Sequence, residues 1–169
     1  HNLDYIFKKA IVWNKITSNK YSARFSTIGF LFDDASPFLA MDGTYIHYVL
    51  AFLNTSVFWK YIKCINPTLN FQPGNISSVP LIVDEEKKDI INGITCENIL
   101  ISKTDWDSFE TSWDFRCHPL LTNKNNATTI EETFDQWKAF TESQFNQLKQ
   151  NEEELNRIFI DIYGLQDEL

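Results

Sequence analysis

The first third of the chain alternates apolar and polar residues in the way that is typical of β-strands. Residues 11–16 (IVWNKI) and 21–26 (YSARFS) alternate, and residues 28–32 (IGFLF) are more continuously apolar. Runs of this kind, separated by short polar segments, predict three strands, with the first turn at residues 18–20. Residues 33–37 (DDASP) then predict a loop.

Helical periodicity follows this region. Apolar residues recur every three or four positions between residues 44 and 65, which predicts one long helix with Thr44 as its N-cap. Asn66 ends that helix, because the residue before a proline disfavours the helical region. Two short strands are expected on either side of a proline-glycine turn, at residues 69–72 and 76–81.

The second half predicts two more helices and one stretch without clear periodicity. Residues 84–102 predict a helix that Asp84 caps. Residues 102–121 are rich in aromatic and acidic side chains and predict an ordered segment that wraps around the fold. Overlapping capping boxes within residues 128–132 predict the start of the last helix, and Gly164 predicts its end.

Together these elements predict an α+β fold, a small sheet with packed helices followed by a long C-terminal helix. We expect an α/β domain at residues 1–121, a linker at residues 122–127 and a helical spacer or docking helix at residues 128–169. The apolar stripe on the last helix is heptad-like but diluted by polar residues. Since the chain starts with neither an initiator Met nor a signal-peptide pattern, we interpret it as a fragment of a longer protein.

Composition and charge narrow the possible functions. The chain is 43% hydrophobic and 22% charged, and its net charge is −8. No apolar run reaches the roughly 20 residues of a membrane span, so we expect a cytoplasmic protein without a membrane partner. The net charge argues against nucleic-acid binding, but residues 1–80 hold seven Lys and Arg against four Asp and Glu. Residues 81–169 hold eight against nineteen, so only the second half is acidic.

The candidate DNA contacts lie on or beside the first predicted hairpin and at the proline-glycine turn. They are Lys15, Lys20, Tyr21, Ser22, Arg24, Asn70 and Gln72. Lys and Arg contact phosphate or guanine, and Asn and Gln can read adenine. The alternative is that Lys20 and Arg24 are solvated surface residues and that Asn70 and Gln72 satisfy backbone groups of the turn.

The chain offers no catalytic, cofactor-binding or metal-binding candidate. Residues 66–69 (NPTL) differ from the Asn/Asp-Pro-Pro-aromatic motif of amino-methyltransferases, because they lack the ring that stacks on a flipped base. No Gly-rich loop follows a strand, so a Rossmann-type cofactor pocket has no candidate. The three cysteines and three histidines do not have the spacing of a metal site.

Several stretches resemble DNA methyltransferases. Residues 11–39 resemble the start of a target-recognition region of restriction–modification enzymes, and residues 45–82 resemble the helix-plus-proline segment that closes such a region. Residues 101–121 (ISKTDWDSFETSWDFRCHPLL) and 154–169 resemble the PglX family, the adenine methyltransferases of BREX phage-defence systems.

This resemblance implies a bacterial N6-adenine DNA methyltransferase as the parent protein, with S-adenosylmethionine as its cofactor and its catalytic motifs outside this chain. The chain itself would be a target-recognition fragment and not an enzyme. It would bind double-stranded DNA, the rest of the parent and other defence-system subunits. The alternative, suggested by the acidic second half, is a protein-interaction module of a defence complex.

Overall fold

The expected α+β class is confirmed. A computed structural model describes residues 3–18, 20–41 and 43–169, so Asn19 of the first predicted turn lies outside the described residues. Within those ranges the chain forms a three-stranded antiparallel sheet and six α-helices, the last of them long. A short 3₁₀ turn, Leu3–Tyr5, precedes the sheet.

The sheet has the strand order β2-β1-β3. Its strands are β1 (Ala10–Trp13), β2 (Ala23–Ser26) and β3 (Phe38–Ala40). β1 lies in the centre, pairs antiparallel with both neighbours and is buried along its whole length. The first two strands overlap the predicted stretches 11–16 and 21–26 and are shorter; β1 begins one residue earlier than predicted.

The predicted third strand at residues 28–32 is wrong. That segment turns instead, since Gly29 adopts a φ of +100° and its N–H donates to the carbonyl oxygen of Phe7 at 3.0 Å. The free edge of β1 is taken by β3, which follows the predicted loop and places Phe38 opposite Val12. β3 therefore occupies the edge of β1 that the predicted strand at residues 28–32 would have needed.

The predicted helix at residues 44–65 is two helices, α1 (Ile46–Leu53) and α2 (Ser56–Ile65). The break occurs at Thr55, whose backbone is extended and whose hydroxyl accepts a hydrogen bond from the Phe58 N–H at 3.2 Å. Thr55 is thus the N-cap of α2. Thr44 caps neither helix, because Tyr45 holds the N-cap position of α1 without a side-chain bond.

The predicted strand at residues 76–81 is also wrong. The chain forms the short helix α3 (Pro73–Ser77) there, and proline is a favoured first residue of a helix. The other predicted strand, at residues 69–72, is reduced to one isolated bridge between Ile16 and Asn70.

The remaining helices are α4 (Lys88–Trp106), α5 (Pro119–Thr122) and α6 (Ile130–Tyr163). Of these, α6 is close to its predicted bounds, α4 is shifted by four residues from the predicted range 84–102, and α5 was not predicted. Asp84 accepts bonds from the backbone N–H groups of the turn that leads into α4, at 2.9 and 3.1 Å. The capping box before α6 is confirmed, because Thr129 and Glu132 each accept a bond from the other's backbone N–H at 3.2 Å. Gly164 ends α6 with a φ of +63°.

The chain divides into two compact units. Unit 1 comprises His1–Thr95 and Glu154–Leu169, and unit 2 comprises Cys96–Glu153. The core of unit 1 is aromatic: the Phe159 ring lies 5.3 Å from that of Tyr48, and the two rings of Phe52 and Tyr163 stack 5.5 Å apart. The boundaries expected at residues 121 and 128 stay a prediction.

Among the described residues, no helix combines the length and the apolar character that a membrane crossing requires.

Candidate nucleic-acid interface

The candidate DNA-contact residues belong to unit 1 and gather at one end of its sheet. The chain leaves β1 after Trp13 and enters β2 at Ala23, so the connection lies at that end. The loop before β3 reaches the same end, because the Trp13 N–H donates to the Pro37 carbonyl oxygen at 3.2 Å. We call residues 14–22 (with Asn19 excepted), Arg24 and residues 33–36 and 68–72 the hairpin-end surface.

Two distant segments are joined at this surface by an antiparallel ladder. The N–H of Phe71 donates to the carbonyl oxygen of Lys15 at 2.6 Å, and the N–H of Thr17 donates to that of Leu69 at 3.1 Å. The indole Nε1 of Trp13 also donates to the carbonyl oxygen of Phe71 at 2.9 Å. The ladder places the polar residues of the proline-glycine turn beside the end of β1.

An aromatic cluster supports the surface from inside. The Tyr21 ring lies 5.0 Å from the Phe58 ring, 5.3 Å from the Phe71 ring and 6.3 Å from the Trp13 ring. Tyr21 is only 4% exposed, and this burial raises the pKa of its phenol. In this structure the predicted contact Tyr21 therefore packs in the core, whereas its neighbour Ser22 is exposed.

The three predicted cations have different surroundings. Lys15 forms an ion pair with Asp34 and its side chain is only 19% exposed. Arg24 is exposed, and its Nη2 donates to Oδ1 of Asn14 at 3.0 Å. Lys20 is also exposed, and within the described residues neither Lys20 nor Arg24 has a carboxylate partner. Lys20 and Arg24 are thus better placed than Lys15 to contact phosphate.

The predicted amide residues are exposed and bonded to each other. Nε2 of Gln72 donates to Oδ1 of Asn70 at 3.2 Å. The backbone groups of Asn70 are satisfied by other side chains, because Asn66 Nδ2 donates to its carbonyl oxygen at 2.7 Å and the hydroxyl of Thr68 accepts from its N–H at 3.2 Å. The side chain of Asn70 thus bonds Gln72, and its role as a DNA contact stays a prediction.

Two asparagines at this end of the sheet were given no role by the sequence analysis. Asn14 holds Arg24, and a correct pairing of the first two strands would have placed both at the same end. Asn54, between α1 and α2, accepts from the Ala23 N–H and donates to the Ala23 carbonyl oxygen, each at 3.0 Å. Its amide thus pairs with the start of β2 as a neighbouring strand would, and the polar residue within an apolar helical stretch was the available signal.

Unit 2 contains a separate apolar groove of about 720 Å³. Its apolar lining comes from α4 and α6 and includes Trp106, Trp137, Phe140, Phe145 and Leu148. On its polar side, Lys103 bonds both Asp107 and Asp114 at 2.6 Å, which lowers the pKa of the Asp107 carboxyl. Unit 2 holds eleven Asp and Glu against five Lys and Arg, so the groove lies in an acidic region.

The described residues contain no cluster of three or more His, Cys, Asp or Glu that could hold a metal ion. Asn66, in the stretch compared with the amino-methyltransferase motif, acts on its own turn, because its Oδ1 accepts from the N–H and hydroxyl of Thr68 at 3.2 and 2.6 Å.

Comparison with known proteins identifies relatives along the whole chain, although no family model matches it. The chain is 43% identical over 174 residues to the adenine-specific methyltransferase PglX of Lacticaseibacillus casei (strain Zhang). That alignment covers 100% of this chain and 14% of the relative. The chain is homologous to one segment of an adenine-specific methyltransferase. The resemblance to the PglX family is thereby confirmed.

A second relative agrees with the first. The adenine-specific methyltransferase BrxX of Escherichia coli O9:H4 (strain HS) is 29% identical over 170 residues, which are 99% of this chain and 14% of that protein. The chain thus spans about one seventh of the length of each of these curated PglX and BrxX relatives.

Proposed function

We propose that this chain is a target-recognition part of a site-specific N6-adenine DNA methyltransferase. Its hairpin-end surface would bind duplex DNA and position it for methyl transfer by a catalytic domain elsewhere in a longer protein. S-adenosylmethionine would be the methyl donor of that protein, and phage defence its biological setting. The observation that carries the proposal is the pairing of residues 15–17 with residues 69–71, which places the amide side chains at the same end of the sheet as the predicted cations.

The chemistry of the hairpin-end surface suits DNA. The major groove admits a two-stranded ribbon, and protein contacts to DNA divide into phosphate contacts, which position, and base contacts, which specify. Exposed Lys20 and Arg24 would provide the phosphate contacts, and the Asn70 amide would provide a base contact. The excess of acidic residues lies in the second half of the chain, whereas this end of the sheet holds Lys15, Lys20 and Arg24 against Asp33 and Asp34.

The test is fluorescence anisotropy of the whole chain with a randomised duplex pool across a salt series. The logarithm of the binding constant should fall linearly with the logarithm of the salt concentration, because phosphate contacts release counterions. Lys20→Ala and Arg24→Ala should each weaken binding to all sequences and reduce the salt slope by about one.

Lys8→Ala is the matched control for these variants. Lys8 is an exposed cation that precedes β1 at the opposite end of the sheet, and its loss changes the net charge equally. An equal effect of Lys8→Ala, or no binding even at low salt, would contradict the proposed interface. In the full-length protein the same pair of substitutions should reduce methylation or change the methylated sequence.

The groove of unit 2 favours a second candidate function, protein interaction with other parts of the parent or with defence-system subunits. Large apolar side chains are exposed there, with Trp106 at 58% and Phe145 at 67%. Exposed apolar patches of this kind mark interaction sites. A partner recovered with the whole chain should then be lost with Phe145→Asp and retained with Lys20→Ala. The reverse pattern would place the partner on the hairpin-end surface.

A further inference from the structure

The ladder of the hairpin-end surface has an inner and an outer face. Residues that are opposite each other in an antiparallel bridge project from the same face, and successive residues alternate. Ile16 is bridged to Asn70, and both are exposed, Ile16 at 69%. Their neighbours Lys15 and Phe71 belong to the other face, where Phe71 is 1% exposed. An aliphatic side chain and an amide therefore lie side by side on the outer face of this bridge.

The Asn70 side-chain amide is held by one hydrogen bond and still has hydrogen-bonding groups without a partner in the described part of the chain. Its Oδ1 accepts one bond from Gln72, and a carbonyl oxygen has a second lone pair. Its Nδ2 donates to no group in the described part of the chain, whereas the Asn70 backbone is already bonded to Asn66 and Thr68. Both N–H donors of Nδ2 and one acceptor position of Oδ1 thus remain on the same amide plane.

This pair of side chains matches one base pair. In the major groove adenine presents an N7 acceptor and an N6 amino donor, which an Asn amide satisfies with two bonds, and thymine presents a 5-methyl group to apolar side chains. A guanine–cytosine pair presents no methyl group and offers no adjacent donor and acceptor on the purine. The combination of amide and aliphatic side chain selects against it.

We propose that Asn70 and Ile16 together read an adenine–thymine pair in the major groove. The Asn70 Nδ2 donates to adenine N7, its Oδ1 accepts from the adenine N6 amino group, and Ile16 contacts the thymine methyl. Gln72 is a positioning residue that holds the Asn70 amide in its plane. This inference rests on the proposed function, since it specifies how the same surface reads sequence.

The first test uses the unaltered chain and modified DNA. A duplex is selected from a randomised pool by binding to the chain and is then resynthesised with deoxyuridine for thymidine, or with 7-deazaadenine for adenine. Loss of one buried methyl should weaken binding about fourfold. Loss of N7 removes one of two amide bonds and should weaken it about fivefold. Binding that is unchanged by both replacements would overturn the proposal.

Variants of the chain then assign each loss to its residue. With Ile16→Ala the deoxyuridine penalty should disappear while the 7-deazaadenine penalty remains, and Asn70→Ala should give the reverse. Gln72→Ala should reduce, but not abolish, the 7-deazaadenine penalty. Both Ile16 and Asn70 are exposed, so circular dichroism should show unchanged folding.

The matched control is Ile28→Ala, because Ile28 is 68% exposed but follows the opposite end of β2. Ile28→Ala should keep both penalties. An Ile16→Ala variant that keeps the full deoxyuridine penalty would overturn the role of Ile16. Failure to select any duplex would instead contradict the proposed function, so the two failures are distinguishable.

Discussion

The two units of the chain differ in whether their apolar side chains are buried or exposed. All the buried apolar residues in the described part of the chain, except Ile101, Pro119 and Ala127, belong to unit 1. In unit 2 the buried set is half polar and includes Asn151, while Trp106, Trp113 and other rings are exposed. Unit 1 therefore has a core that can hold a recognition surface rigid by itself. Unit 2 presents a surface of the kind that another protein covers.

This contrast predicts that unit 2 is the less stable of the two units. A protein's net stability is a small difference between large terms, so a unit with few buried apolar contacts has little reserve. Local opening also concentrates where buried apolar contacts are few. We expect unit 2 to exchange its amide hydrogens faster than unit 1, and the four predictions that follow examine this contrast.

The largest expected effect is on the core of unit 1. Phe58→Ala should lower its free energy of unfolding by about 3–5 kcal/mol, because removal of a buried ring leaves a cavity. Phe58 is 1% exposed. Phe145→Ala in unit 2 should cost no more than about 0.5 kcal/mol, because its ring is largely in solvent. Urea unfolding followed by circular dichroism measures both, and equal losses would remove the contrast.

The next effect concerns the edge of the sheet in unit 1. Asn54→Ala should cost about 1–2 kcal/mol, because it removes both hydrogen bonds to the backbone of Ala23 and each typically contributes about 0.5–1.5 kcal/mol. Hydrogen exchange of the Ala23 amide should accelerate. Asn54→Asp keeps the acceptor for that amide and loses the donor, so an intermediate effect is expected. Unaltered exchange in Asn54→Ala would show that the amide does not hold β2.

A smaller effect is expected in unit 2, where α6 begins. Thr129→Ala should cost about 1 kcal/mol, since its hydroxyl caps the Glu132 N–H at 3.2 Å. Exchange of the Glu132 amide should accelerate while the amides of β1 are unchanged. Thr129→Ser retains the hydroxyl and should behave as the unaltered chain. If β1 responded to Thr129→Ala, the two units would not be independent.

The smallest effect is a pH dependence at the same cap. The Glu132 carboxylate accepts hydrogen bonds from the backbone N–H and the hydroxyl of Thr128 and from the backbone N–H of Thr129. These bonds lower the pKa of the Glu132 carboxyl. A carboxyl whose pKa is lowered by folding stabilises the folded state above its ordinary pKa, and this contribution is lost as the pH falls through the lowered value. Glu132→Gln should therefore destabilise the cap at neutral pH and have no effect in acid. A difference that grows in acid would contradict this sign.

Features that depend on interactions within one helical turn could mostly be predicted from the sequence, and features that depend on residues far apart in the sequence could not. The ends of α6 could be predicted because a capping box and a glycine act within one turn of the helix. The break at Thr55 was missed because helical periodicity continues through it, although Thr is a common N-cap. The strand β3 was missed because its selection depends on which segment reaches the free edge of β1.

The residues of the candidate site divide in the same way, into those that local patterns identify and those whose surroundings depend on distant residues. Alternation and residue chemistry identified Lys20, Arg24, Asn70 and Gln72, all of which are exposed. The burial of Tyr21, the ion pair of Lys15 and the exposure of Ile16 could not be predicted, because each depends on residues distant in the sequence.

The sequence by itself determined the α+β class, the bounds of the long helix and the relationship to the PglX family. Local patterns and recognisable motifs are sufficient for these, because they depend on interactions between near neighbours. Only the tertiary structure decided that residues 15–17 pair with residues 69–71 and that Ile16 stands beside Asn70. Such pairing depends on which backbone edges and apolar faces remain available once the rest of the chain has packed.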